Sequence, residues 1–186
     1  MLRWIPLVLV GGWLLGTTAL HAGKQVPLSD GEKELLKGMR VEVPSTYIEA
    51  HDFPMRLLDG RELQLNQLQG RFVLLNFWAT WCAPCLKEMP DMDALQNTVG
   101  TEQLTVLAVS MGETEERVRK FLKMHGFGFP IVADTEMSIV QIYGVKNIPI
   151  TYLIDPQGVI LGRALGPREW NRKAFQDFIQ QRVQGS

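Results

Sequence analysis

Phe72 to Trp78 is a nearly continuous apolar run, the mark of a strand buried on both faces. Leu104 to Ser110 repeats that pattern. Between them, Leu86, Met89, Met92, Leu95 and Val99 fall at helical spacing and predict a helix. Downstream, residues 114–125 read as a helix with Val118, Phe121 and Leu122 inward, stopped by Gly126. A short strand follows over 130–133 and a short helix over 136–143. Ile150 to Ile154 and Val159 to Ala164 form a hairpin around Asp155-Pro156-Gln157-Gly158. A last helix starts near Arg168, behind Pro167, and carries Trp170, Phe175 and Phe178. Upstream, from Phe53, two short strands flank the Asp59-Gly60 turn, and Ser29 with Glu32 forms a capping box for a helix over 30–38. Strands alternating with helices, then a terminal hairpin and helix, predict an α/β fold whose central mixed sheet is covered on both sides.

The N-terminus breaks this pattern. Arg3 is followed by an uncharged stretch, Trp4 to Leu20. That is slightly long for a secretory apolar region of about 7–15 residues and at the lower limit of about 17–25 for a membrane span. A cleaved signal and an uncleaved anchor through residues 4–20 both fit, and both imply a periplasmic or other extracytoplasmic location. Residues 1–22 are therefore signal or anchor, 23–51 a tether or packing arm, and 52–186 the folded domain.

Composition adds exclusions. With 46% hydrophobic and 21% charged residues the chain can bury a real core. Nineteen basic residues against twenty acidic ones leave a net charge of −1, and the basic residues are scattered. Nothing in that balance asks for nucleic acid as a partner. The two cysteines stand three positions apart, and a bridge so short closes almost no loop, so it stabilises little through the unfolded chain. The pair is chemical rather than structural.

Trp81-Cys82-Ala83-Pro84-Cys85 joins a buried strand to a helix, which places Cys82 exposed at the helix N-terminus and Cys85 one turn inside. A thiolate at Cys82 faces unpaired backbone N–H groups and the positive end of the helix dipole, an effect of roughly 0.3–1 kcal/mol, or about one pKa unit at most when exposed. Cys82 is then the attacking thiol and Cys85 the resolving one. Ala83 brings no charge and Pro84 no N–H, so neither adds the thiolate stabilisation of a strongly oxidising site, and the dithiol is the better electron donor. A zinc site would need two further ligands, and His21, His51 and His125 each stand alone.

FWATWCAPC followed by Glu88 and Pro90 resembles the TlpA/ResA-like family of exported thioredoxin-fold thiol–disulfide oxidoreductases. DGRELQLNQLQGRFVLLNFWATWC resembles the first half of that family's domain and YGVKNIPITYLIDPQGVILGRALG the second, so that the likeness covers roughly residues 52–182. It implies a thioredoxin-like three-layer sandwich with an N-terminal β-hairpin and a central helix–strand insertion over 112–133. It implies that Pro149 is cis and presents backbone to an extended substrate segment, with Trp81 and Ile148 lining the docking surface. It implies that Glu88 exchanges a proton with Cys85. Asn76, where plain thioredoxins have a buried aspartate, cannot titrate, which leaves Glu88 as the proton carrier. Ile148 and Ile150 flank Pro149, where glycine or valine and then threonine are frequent in the family, and this more apolar rim implies a particular protein partner. The implied function is reduction of disulfide-containing protein substrates, in cytochrome c maturation or related thiol maintenance, recharged by a membrane thiol donor. The redox-active Cys82–Cys85 disulfide is the only redox centre implied, with no further cofactor and no metal. A disulfide-forming oxidase and a copper-binding chaperone are the alternatives.

Overall fold

A computed structural model describes residues 27–184; the apolar segment read as signal or anchor lies outside the described residues. The chain runs α1 (Asp30–Gly38), β1 (Pro54–Arg56), β2 (Glu62–Gln64), a 3-10 turn (Leu65–Leu68), β3 (Phe72–Trp78), α2 (Ala83–Val99), β4 (Leu104–Met111), α3 (Glu115–Leu122), β5 (Ile131–Asp134), α4 (Ser138–Ile142), β6 (Ile150–Ile154), β7 (Ile160–Leu165) and α5 (Lys173–Gln184). Among the described residues no helix is long and apolar enough to cross a membrane.

Five strands form the central sheet in the order β5-β4-β3-β6-β7. β3 pairs parallel with β4 and antiparallel with β6, so the strand that leads into the cysteines is the middle one. Every side chain of β3 is buried, and its alternation feeds two cores. Phe72, Leu74 and Trp78 pack with Met89, Met92 and Leu95 of α2 and Phe175 and Ile179 of α5. Val73, Leu75 and Phe77 face the other way, onto Phe53, Ile139 and Tyr143. Each fully buried Phe or Leu contributes about 1.5–3 kcal/mol, which is why a strand without an exposed face ends up at the centre. β1 and β2 pair as the small hairpin expected around Asp59-Gly60.

Three helix boundaries differ from the sequence reading, two of them because bonds from outside the helix claim groups that local pattern would leave to it. The last helix begins at Lys173 rather than near Arg168. Trp170 is fully buried, but it sits in the loop ahead of α5, where the backbone N–H groups of Arg168 and Asn171 donate to Glu88 and Asp91 of α2. α4 starts at Ser138 rather than 136, because Asp134 accepts from the Ser138 hydroxyl and the Val140 N–H and Met137 takes a left-handed φ of 57°. α3 stops at Leu122, short of Gly126; beyond it the His125 ring stacks on Phe121 at 4.4 Å.

The N-terminal arm lies against the domain. Ser29 and Glu32 form the expected capping box, and Leu36, Met39 and Val41 join the same core as α2. Past α1 the arm runs along β7. Glu42 and Arg163 exchange both backbone hydrogen bonds, at 2.8 and 2.9 Å, and Ile160 donates to the Ile48 carbonyl at 2.9 Å. Gly162 allows this crossing, since a Cβ there would stand 2.4 Å from Val41 Cγ1. On the opposite edge, Leu58 donates to the Ile131 carbonyl of β5 at 2.8 Å.

Candidate functional site

Cys82 occupies the N-cap of α2, immediately after the buried strand, with extended φ −88° and ψ 92°. Ala83 and Pro84 are the first two helical residues, where a proline's missing N–H costs nothing. The first amide that reaches back to the Cys82 sulfur is therefore that of Cys85, at 3.3 Å. The two cysteines are joined in a disulfide with Cα atoms 5.3 Å apart. One expectation needs correction: Cys82 is only 4% exposed in this form, and the solvent-facing landmark is Trp81, at 64%. Its sulfur turns back over the helix start to accept that amide.

Glu88 lies one turn beyond Cys85 and is 2% exposed. Its Oε1 accepts from Asn76 Nδ2 at 3.0 Å. Its Oε2 accepts from the Arg168 N–H at 2.9 Å and from Trp170 Nε1 at 3.2 Å. Burial pushes its pKa up from 4.5 to about 7, and the three hydrogen bonds offset only part of that. Asn76 also donates to Thr151 Oγ1 at 2.9 Å, its cross-strand partner on β6. α2, β3, β6 and the 167–172 loop thus meet at one carboxylate.

The β3–β6 register sets Phe77 opposite Ile150 and so brings Ile148 and Pro149 to the end of β3 from which the cysteine loop departs. The Ile148–Pro149 peptide is cis. The Pro149 carbonyl is occupied by the Gly166 N–H at 2.8 Å, whereas the N–H and C=O of half-buried Ile148 have no partner among the described residues. An extended chain could pair there.

Sequence reasoning missed Glu113, on the other side of the loop. It is 4% exposed and accepts from the Thr80 N–H at 2.8 Å and from the Thr80 and Ser110 hydroxyls, and it forms an ion pair with Arg117 at 2.8 Å, whose Nε–H donates to Thr80 Oγ1. Burial pushes its pKa up, yet the Ser110 and Thr80 bonds together with the Arg117 charge hold it below the usual carboxylate range. The local signal was thin: a hydroxyl at the exit of β4 and an acid just before the Thr114 cap. Among the described residues no group of three or more His, Cys, Asp or Glu side chains is placed to hold a metal.

The sheet order, the cysteine pair at the α2 N-terminus and the cis proline just ahead of β6 define a thioredoxin-fold protein with a disulfide centre. The AhpC/TSA family model matches residues 48–163. The chain belongs to that family. It is 42% identical over 111 residues to the thiol-disulfide oxidoreductase ResA of Geobacillus thermodenitrificans, a match covering 60% of this chain and 64% of that protein. It is 36% identical over 132 residues to the protein of the same name from Bacillus thuringiensis strain Al Hakam, covering 71% and 75%. The chain thus spans just under two thirds of the Geobacillus relative. Among solved structures it resembles a thiol:disulfide interchange protein of the thioredoxin family from Chlorobium tepidum, with a TM-score of 0.63, 29% identity, and coverage of 75% of this chain and 98% of that one.

Proposed function

We propose that this protein is an exported thiol–disulfide oxidoreductase that reduces protein disulfides through Cys82 and Cys85. The observation that carries the reading is the disulfide at a helix N-terminus beside a cis proline and the unpaired backbone of Ile148. In the dithiol state the Cys82 thiolate attacks one sulfur of a substrate disulfide and releases the other substrate cysteine as a thiolate. Cys85 then attacks Cys82 in the mixed disulfide, which frees the second substrate thiol and leaves the Cys82–Cys85 bond. Two electrons pass to the substrate and return from a membrane thiol donor. Glu88 carries the proton of Cys85, because a carboxyl with a pKa of about 7 exchanges protons readily at neutral pH. The substrate lies extended against Ile148 and Pro149 with Trp81 beside it. The disulfide itself is the redox centre, with no further cofactor. The names of the ResA relatives support the chemistry, and cytochrome c maturation is the client pathway that suits an extracytoplasmic reductant of this kind.

The test is a Cys85→Ala variant, which strands the mixed disulfide. Mass spectrometry is expected to find partners bound through Cys82; partners trapped through neither cysteine sink the mechanism. A reduction potential near the oxidising end of the range for this fold, about −120 mV, would reverse the direction.

A further inference from the structure

Half of the Asn76 amide is unexplained by the site as described. Nδ2 donates to both Glu88 Oε1 and Thr151 Oγ1, while Oδ1 is buried and has no partner among the described residues. Buried acceptors are seldom left unmet without a reason.

Glu88 supplies one. Its Oε2 already receives two N–H groups, so Oε1 is the oxygen with room for a proton. A proton on Oε1 would meet the Asn76 N–H head-on. Turning the amide end over relieves this. Oδ1 then accepts from the Glu88 hydroxyl and from the freely rotating Thr151 hydroxyl, and Nδ2 takes the place of the orphan oxygen. Each orientation suits one protonation state of Glu88.

We propose that Asn76 is a positioning residue that couples the proton on Glu88 to the Cys85 sulfur by turning its amide over. The proposal rests on the reading of Cys85 as the resolving thiol. Cys85 is fully buried, in the same layer between β3 and α2, one turn before Glu88. With Glu88 ionised, Asn76 offers an acceptor to the Cys85 S–H. When the proton passes from Sγ to Glu88 Oε1, the turned amide offers N–H to the new thiolate. One proton moves, and the summed charge of the pair is unchanged. The thiolate then attacks Cys82 Sγ and expels the substrate thiolate. A non-titrating residue at this position is thereby useful, since it reads the proton without competing for it. The other charged groups sharing the cavity beside Glu88 are Arg40, Lys87, Asp91, Arg168, Glu169 and Arg172. They bias where Glu88 titrates but make no bond to the Asn76 amide.

The direct readout is the Asn76 side-chain NH2 signal in 15N NMR of the full chain, followed through the titration of Glu88. It is expected to shift with the same midpoint as the Glu88 carboxyl carbon and to stay flat in Glu88→Gln. A signal that stays flat while wild-type Glu88 titrates overturns the proposal, whatever any variant does. The second readout is Cys85 alkylation against pH in a Cys82→Ala background, expected to rise in two steps, the lower at the Glu88 midpoint. Asn76→Ala should erase the lower step and raise the Glu88 midpoint by about one pH unit, the loss of one donor to the ionised form. Two unchanged steps in that variant overturn the proposal as well. Partner trapping through Cys82 keeps the two ideas apart: trapping with a flat amide signal sinks this inference alone, and no trapping sinks the reading beneath it.

Discussion

Two buried carboxylates flank the cysteine loop, and they behave oppositely. Glu88, on the α2 side, accepts three neutral donors and is held near neutrality by burial. Glu113, at the exit of β4, accepts hydroxyl and amide donors too, but it adds the Arg117 guanidinium and stays ionised. The number of hydrogen bonds is similar and each carboxylate has an arginine that lowers its pKa, so what separates them is the desolvation, which outweighs the donors at Glu88 and is outweighed by them at Glu113. Hydrogen-bond donors and a nearby cation offset the cost of desolvating a carboxylate, and the balance decides which way its pKa moves. One carboxylate is therefore free to carry a proton, and the other is a fixed bracket that holds Thr80, two residues ahead of Cys82.

The comparison breaks most visibly at Glu113. Glu113→Ala strips Thr80 and Ser110 of a shared acceptor and Arg117 of its ion-pair partner, and should cost about 4 kcal/mol in urea unfolding at pH 7. A loss under about 1 kcal/mol would mean that the bracket is ornamental.

The pH dependence of stability comes next, and its sign differs between the two groups. The pKa of Glu88 is raised on folding, so its contribution is full below about 4.5 and is lost as pH rises through about 7. The pKa of Glu113 is lowered, so its contribution is present above the ordinary value and is lost as pH falls through the folded one. Between pH 4.5 and 7.5, wild type should lose about 3 kcal/mol more than Glu88→Gln, from roughly two and a half pKa units. Parallel pH profiles for the two proteins would remove Glu88 from the proton account.

Smaller changes grade the contrast. Trp170→Phe deletes one donor to ionised Glu88, and NMR titration should show its midpoint rise by about half to one pH unit. Arg117 is 59% exposed, so Arg117→Ala should destabilise by only about 0.5–1 kcal/mol, while the Glu113 midpoint moves up toward the ordinary carboxylate value. A Glu113 midpoint that stays put would transfer its ionisation to the hydroxyl donors alone.

The two carboxylates also differ in how far the sequence disclosed them. Glu88 follows Cys85 by three, a helical spacing that places both on one face of α2, and the resemblance gave it a role. Asn76 and Pro149 were legible for the same reason, and β3 because a run of buried apolar residues has few other homes. Glu113 could not be read, since its chief partner, Thr80, is 33 residues away and meets it only once β3 and β4 lie side by side. The 167–172 loop was misread as helix for a related reason. Its first amides look free in sequence, and only the folded chain shows Glu88 and Asp91 waiting for them. The exposure of Cys82 was misjudged because helix-start geometry says where the sulfur sits, not which amide it turns toward.

The arm along β7 and the bridge on β5 have a consequence for which chains can bind. A sheet with open margins recruits any extended peptide by its backbone, regardless of sequence. Here the chain's own segments already occupy points on both margins, through Glu42 and Ile48 on one side and Leu58 on the other. On the function proposed above, an incoming strand would pair at Ile148, a docking point too short to hold a partner by backbone alone. Recruitment would then depend on what the visitor's side chains find at exposed Trp81 and half-buried Ile148, since Ile150 is buried in the core, and a generic adhesive surface would become a selective one.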